Sequence, residues 1–275
     1  MLVNSGGVAL YVEVTGPEDG TPVVLLHGWP DTGRLWEHQV EALSAAGYRV
    51  IVPDQRGHGH SGKPEAVEDY NMMYLVADVG TILDHLGIAR AHLIGHDWGA
   101  AVAWVTASLA PDRIDRLAVL SVGHPTASAA GGLRAREKAW YQLLFLFEGI
   151  AETWLTQDGW ANFRRWARHP RADEVIAEVE TSGSLTPGLN WYRANLHPRR
   201  LIEPPPALPP IAAPTLGIWS SGDVALVEEA MVASAAYVTG PWRYQRLDGP
   251  GHWMQLEAPE EVNRLLLEWL APGGG

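Results

Sequence analysis

Ala91-His92-Leu93-Ile94-Gly95-His96-Asp97-Trp98-Gly99-Ala100 is the stretch that decides the fold. An apolar run at 91–94 leads into a turn bracketed by Gly95 and Gly99, and an Ala-rich segment at 100–110 follows. That succession is a strand, a tight turn and a helix, with Gly-x-nucleophile-x-Gly spacing at the turn. Asp97 stands at the nucleophile's place, where a Ser would suit acyl transfer. A carboxylate is ionised at neutral pH and needs no base to activate it. Its attack on an ester carbonyl would give a reactive mixed anhydride with little gain. Its attack on an electrophilic saturated carbon gives a stable alkyl ester, which water can then cleave. The turn therefore points to displacement at saturated carbon.

Outward from the turn, strands and helices alternate. Residues 8–14, 22–26, 48–52, 116–122, 215–219 and 242–247 read as strands. Residues 31–46 and 74–86 read as helices, with Leu35, Val40 and Leu43 on the apolar side of the first. The last helix, 259–270, carries Val262, Leu265, Leu266 and Trp269 at helical spacing. Short apolar strands separated by helices imply an α/β fold, a mostly parallel sheet flanked by helices on both faces. The rhythm breaks at Gly123. Residues 125–206 read as helices rich in Trp and Arg, and a Pro-rich stretch at 204–214 closes them. The predicted organisation is a core of residues 1–124 and 207–275, with a helical cap at 125–206 inserted after the sixth strand.

Composition narrows the function. The chain has 275 residues, enough for one domain or a core with an insertion, and 47% are hydrophobic, enough for a sizeable core. Its formal charge is −12, with 32 acidic and 20 basic residues. No dense Lys/Arg patch exists to neutralise phosphates, so nucleic acid is excluded as a partner. The same charge favours neutral over anionic substrates. Thirteen Trp suit the lining of a core or pocket. The absence of Cys excludes disulfides and thiol chemistry. The N-terminal residues show no basic region followed by an apolar one, so no signal peptide is expected. No apolar run approaches the roughly 18 residues of a membrane span, so a cytoplasmic protein without membrane contact is expected.

A nucleophile at an elbow needs an acid and a His later in the chain. Asp223 follows the strand 215–219 through Ser220-Ser221-Gly222, and His252 lies in a loop, Gly249-Pro250-Gly251-His252-Trp253, after the last strand. The other place for the acid is the end of the strand 116–122, where Gly123-His124-Pro125 offers no carboxylate. His27-Gly28-Trp29-Pro30 follows the strand 22–26. The Trp29 and Trp98 backbone N–H groups are expected to face the nucleophile as an oxyanion hole. They should hold Asp97 ionised, helped by the N-terminus of the following helix. His27 reads as a brace of this loop. Asp54-Gln55-Arg56-Gly57-His58-Gly59-His60-Ser61 reads as a structural turn with a buried Asp–Arg network. It lacks a third ligand at metal-like spacing, and neither metal nor cofactor is expected.

Taken together, His-Gly-Trp-Pro at 27–30, the segment 54–61 and Gly-His-Asp-Trp-Gly at 95–99 resemble the α/β-hydrolase superfamily over nearly the whole chain. The resemblance is to its Asp-nucleophile branch, the epoxide hydrolases and haloalkane dehalogenases, which share these motifs. The leaving group separates the two. An epoxide oxygen leaves as an alkoxide and needs a proton donor; Tyr, with a pKa of about 10, remains one at neutral pH. Trp140-Tyr141-Gln142-Leu143-Leu144-Phe145 and Leu189-Asn190-Trp191-Tyr192-Arg193 resemble the two tyrosine segments of epoxide-hydrolase caps. The resemblance implies Tyr141 and Tyr192 as the ring-opening pair, with Trp29, Trp98, Gln142 and Trp191 against the substrate. It implies an epoxide hydrolase that makes vicinal diols through an ester on Asp97. The expected substrate is a small, neutral, mostly apolar epoxide, and the expected state a monomer or homodimer. A haloalkane dehalogenase using the same triad stays open: Trp98 could cradle a halide with Trp154 or Trp191, although Trp29 replaces the Asn often found in that loop. Fluoroacetate-type dehalogenases carry Arg after the nucleophile, where this chain has Trp98. A non-catalytic, hydrolase-like receptor fits less well, because such proteins often lose a triad member and all three are present here.

Overall fold

A computed structural model describes residues 1–201, 207–271 and 273. At its centre lies one sheet of eight strands: β1 (Leu2–Ser5), β2 (Val8–Thr15), β3 (Pro22–Leu26), β4 (Arg49–Pro53), β5 (Ala91–His96), β6 (Ile114–Leu120), β7 (Thr215–Ser220) and β8 (Trp242–Leu247). Their spatial order is β1-β2-β4-β3-β5-β6-β7-β8. The pairs β1–β2 and β2–β4 are antiparallel, and all the others are parallel. The α-helices are α1 (Glu37–Ala45), α2 (Met72–His85), α3 (Trp98–Leu109), α4 (Gly132–Lys138), α5 (Trp140–Phe145), α6 (Ile150–Ala167), α7 (Ala172–Ser182), α8 (Leu185–Asn195), α9 (Glu228–Ala233), α10 (Met254–Glu257) and α11 (Pro259–Leu270).

The central strands are buried on both faces, which is why they read as unbroken apolar runs rather than alternating ones. Val23 and Leu25 of β3 join the core on one face, with Leu43 of α1 and Val262, Leu265, Leu266 and Trp269 of α11. Val24 and Leu26 join the core on the other face, with Leu75, Val79 and Ile82 of α2 and Val102 and Trp104 of α3. Each such side chain contributes about 1.5–3 kcal/mol on burial, so α11 is held by its stripe and not by its intrinsic propensity.

The predicted strands are all present, with ends moved by a residue or two. β1 escaped the sequence reading because it is four residues long and half exposed, too short for a period to register. The predicted helix 31–46 is instead a 3-10 turn at Gly33–Trp36 followed by α1. Asp31 is drawn out of the helix by distant partners, and the Gly33 N–H donates to Asp54 Oδ1 at 2.9 Å. Between β6 and β7 the described residues form α4–α8 and no named strand. Residues 204–206, the predicted end of this insertion, lie outside the described residues. Among the described residues no helix is long and apolar enough to cross a membrane.

Candidate active site

The turn after β5 is as sharp as its glycines suggested. A Cβ on Gly95 would lie 2.3 Å from the Gly99 carbonyl oxygen, and one on Gly99 2.1 Å from that of Leu26. Asp97 sits between them at φ 52° and ψ −123°, a region that an L-residue occupies only under constraint. The Ala100 and Ala101 N–H groups bond to its carbonyl and start α3, so the carboxylate stands at a helix N-terminus.

Two elements hold that carboxylate. The Trp29 N–H donates to Asp97 Oδ1 at 3.0 Å, and His252 Nε2 lies 3.6 Å from Oδ2. Gly28 is required for this approach, since a Cβ there would fall 2.3 Å from Oδ1. The Trp98 N–H makes no hydrogen bond to the carboxylate among the described residues. His27 braces the loop as expected, with Nδ1 to the Gly28 carbonyl at 2.9 Å and Nε2 accepting the Gln55 N–H at 2.9 Å.

His252 Nδ1 faces Asp223 Oδ2 at 3.0 Å. The other oxygen of Asp223 accepts from the Ala225 and Leu226 N–H groups at 2.8 and 2.9 Å. Burial opposes a charge on Asp223, but the charge and hydrogen bond of His252, with Ser121 and the backbone donors, carry its pKa down to about 2. Burial likewise opposes a charge on His252, and Asp223 and Asp97 together outweigh it, raising the pKa to about 10. The imidazole is therefore protonated while Asp97 is free. The loops that carry the two residues are tied: Ser220 Oγ donates to the Gly251 carbonyl at 2.5 Å, and the Gly222 N–H to that of Pro250 at 2.9 Å. His96 Nε2 lies 2.9 Å from the His252 carbonyl, and burial keeps His96 neutral with a pKa of about 4.

Tyr141 of α5 and Tyr192 of α8 are buried side by side, with ring centroids 6.2 Å apart and perpendicular aromatic contacts to Phe145. Burial first, and the charge of Asp97 second, raise both phenols well above their ordinary value, so both keep their protons. Gln142 Nε2 points at the Tyr141 hydroxyl from 3.4 Å. The Trp98 ring stands perpendicular to Tyr192 at 5.1 Å, and the Trp29 ring does so at 6.1 Å.

Trp191 departs from expectation. Its indole N–H donates to the Arg56 carbonyl at 2.9 Å, and its ring packs behind Trp98 in the core on the α2 and α3 side. Its donor is therefore spent inside the protein, and its ring backs that of Trp98. In the segment 54–61, Arg56 forks onto Asp78 of α2 at 2.7 and 2.9 Å, while Asp54 accepts the Gly33 and His60 N–H groups. The segment is thus a buttress between β4, α2 and α8.

Two features lay beyond sequence reasoning. Ser121, just past β6, has its Oγ 2.5 Å from Asp223 Oδ2. A hydroxyl at the alternative place for the acid was the only signal. Asp31 accepts the Trp253 indole N–H at 2.8 Å and pairs with His169 Nε2 at 3.1 Å, joining the α6–α7 connection to the neighbour of His252. A separation of 138 residues hides that pair from any local pattern.

The constellation is a carboxylate at a strained elbow, an amide donor, an Asp-paired His and two protonated phenols in an aromatic enclosure. It stands at one end of a mostly parallel sheet covered on both faces by helices. Residues 21–259 match the alpha/beta hydrolase fold family, and the chain belongs to it. Within that family it resembles the epoxide hydrolases. It is 36% identical to epoxide hydrolase A of Mycobacterium tuberculosis over 98% of this chain and 96% of that one. The crystal structure of epoxide hydrolase A from Mycobacterium thermoresistibile superposes with a TM-score of 0.80 at 33% identity, covering 98% of this chain and 97% of that one. A Bacillus megaterium epoxide hydrolase solved with an inhibitor superposes at 0.88 and 25% identity, covering 98% and 99%.

Proposed function

We propose that the chain is an epoxide hydrolase that converts small, neutral, mostly apolar epoxides and water into vicinal diols. The observation that carries this reading is the pair of buried phenols, Tyr141 and Tyr192, both close enough to Asp97 to feel its charge. Residues 125–206 act as a cap that brings these phenols over a core of residues 1–124 and 207–275. The two hydroxyls bond to the epoxide oxygen. Asp97 attacks a ring carbon from the opposite side, the C–O bond breaks, and one phenol passes its proton to the departing oxygen. The product is a hydroxyalkyl ester of Asp97. Esterification removes a negative charge 3.6 Å from His252 Nε2, so the imidazolium loses one of its two supporting carboxylates and releases its proton toward the tyrosinate. Neutral His252, oriented by Asp223, then takes a proton from water, and the hydroxide attacks the ester carbonyl carbon. The Trp29 N–H, joined by that of Trp98 as the carbon becomes tetrahedral, holds the oxyanion. Collapse breaks the bond to the alkyl oxygen, which takes the proton that His252 holds and leaves as the diol; the new Asp97 carboxyl then passes its proton to His252, restoring carboxylate and imidazolium. Trp29, Trp98 and Gln142 line the substrate's place.

The paired assay that tests this offers styrene oxide and a terminal aliphatic epoxide in one arm, and bromo- and chloroalkanes in the other. Diol without halide is expected. Halide without diol would return the tyrosines to a packing role. His252→Gln should complete the first step and stall, so mass spectrometry should find one substrate-sized adduct on Asp97. An unmodified mass with substrate bound would sink the covalent route.

A further inference from the structure

At the exit of β6 the chain makes a turn that few L-residues adopt. Ser121 has φ +73°, and the Val122 N–H closes back on the Leu120 carbonyl at 2.9 Å. A three-residue turn with its central φ near +75° is the rare, strained form of the γ-turn. Strain of this kind persists where its surroundings enforce it, and it gathers at functional sites. Here the turn sends a fully buried side chain into the triad: Oγ is 2.5 Å from Asp223 Oδ2 and 3.0 Å from His252 Nδ1. A carboxylate only accepts, so the hydroxyl proton goes to Asp223 and an Oγ lone pair is left facing the imidazole. The Nδ1–H then has two acceptors, Ser121 Oγ and Asp223 Oδ2, each at 3.0 Å. Asp223 Oδ2 in turn has two donors, while Oδ1 is filled by Ala225 and Leu226.

We propose that Ser121 is a positioning residue of the reaction, which locks the His252 ring with its proton on Nδ1 and shares the Asp223 carboxylate with it, leaving Nε2 as the base for ester cleavage. The step it serves rests on the epoxide-hydrolase reading; the hydrogen-bond geometry does not. Two effects of the hydroxyl oppose each other. Its proton draws charge from Asp223, which loosens the hold on the imidazolium; its lone pair supports the imidazolium directly. The 2.5 Å bond to a charged oxygen is the stronger of the two, so the loosening wins. The charged and titratable groups around His252 are Asp97 on the elbow, His96 at the end of β5, Asp223 after β7, Tyr141 of α5 and Lys138 of α4. The Lys138 ammonium bonds to the Asp223 carbonyl.

Ser121→Ala keeps the Cβ and its backbone demand but deletes the hydroxyl. Ser121→Gly deletes it and relieves the strain, so it remains informative if the first variant folds poorly. Proton NMR of each substrate-free variant reads the His252 Nδ1–H, assigned by its loss in His252→Gln. In both variants one linear bond replaces a shared one, and the signal should move downfield, with its titration moving up by about half a pH unit or more. Single-turnover experiments should show ester formation unchanged and ester cleavage slowed several-fold at neutral pH, with recovery at higher pH. An Nδ1–H signal and titration unmoved in both variants overturn the proposal, whatever happens to their melting temperatures. Failure of the wild type to form any ester would overturn the epoxide reading instead, and the NMR comparison would still decide the role of Ser121.

Discussion

At the residue scale the site is an arrangement of charges that the proposed reaction changes at each step. In the proposed reaction Tyr141 and Tyr192 share one task, so each alone should be partly dispensable. Replacing either with Phe removes a hydrogen bond to an oxygen that becomes charged, a loss of about 1.5–3 kcal/mol, or roughly 10- to 100-fold in kcat/KM. The double variant should lose epoxide turnover while its circular dichroism and melting temperature stay close to the parent's, because both rings keep their aromatic contacts. An unchanged rate in the double variant would remove the tyrosines from the mechanism. His252 offers a second prediction. Free enzyme holds its proton to about pH 10 through Asp223 and Asp97. In the ester only Asp223 remains, so the midpoint for ester cleavage should lie well below the midpoint measured by NMR on free enzyme. Equal midpoints would mean that the charge of Asp97 plays no part. The meeting of Asp97, Asp223 and His252 was legible in the chain, because they stand in a fixed order after the ends of strands. Ser121 was not, since its significance comes from a backbone angle and a bond across 102 residues. Nor was the true place of Trp191, whose donor is claimed by a carbonyl 135 residues away.

At the element scale the parts meet through a few buried polar contacts. The Asp31–His169 pair is the most consequential, because both side chains are buried and Asp31 also holds the indole of Trp253 beside His252. Breaking a buried pair by removing one partner leaves an uncompensated charge and costs about 3–5 kcal/mol. His169→Ala should therefore lower the denaturation midpoint strongly, and Asp31→Asn less, since an amide leaves no charge behind. Burial would raise the pKa of Asp31, but the charge and hydrogen bond of His169, with the bond from Trp253, bring it below its ordinary value. A carboxyl depressed in the folded state contributes stability that is present above its unfolded pKa, about 3.9, and is lost as pH falls through the folded value. Melting temperatures from pH 6 down to pH 3 should thus fall more steeply for the parent than for Asp31→Asn. Parallel curves would show that the pair is not charged in the folded protein. The helices and strands themselves were readable where their apolar period is long, as in α11, and unreadable where they are short, as in β1, α9 and α10. Asp31 was misplaced into a helix because a local pattern cannot register partners from the α6–α7 connection and from α10's leading loop.

At the scale of the whole molecule the triad links function to stability. Asp223, depressed to about 2, contributes stability above its unfolded pKa and loses it as pH falls through about 2. His252, raised to about 10, contributes stability fully below its unfolded pKa of about 6.5 and loses it as pH rises through about 10. The parent should therefore melt at progressively lower temperature between about pH 6.5 and pH 10, and His252→Gln should show a flatter curve across that window. A parent curve flat to pH 10 would contradict the charged state assigned to free His252. The sheet order β1-β2-β4-β3-β5-β6-β7-β8 puts β3, β5, β6 and β7 side by side. Trp29, Asp97, Ser121 and Asp223 all follow the carboxyl ends of those neighbouring strands, so residues 29 to 223 in the chain converge on one edge of the sheet. By itself the sequence determined the alternation of strands and helices, the helical insertion, the elbow and the order of the triad. Each of these depends on local spacing, apolar period or position at an element's end. Only the tertiary structure decided what those residues touch: the shared carboxylate of Asp223, the burial that keeps both phenols protonated, the joint between Asp31 and His169, and the bond of the Trp191 indole to the Arg56 carbonyl. Such contacts form between segments far apart in the chain, and their energies come from desolvation and distance, which exist only once the chain has folded.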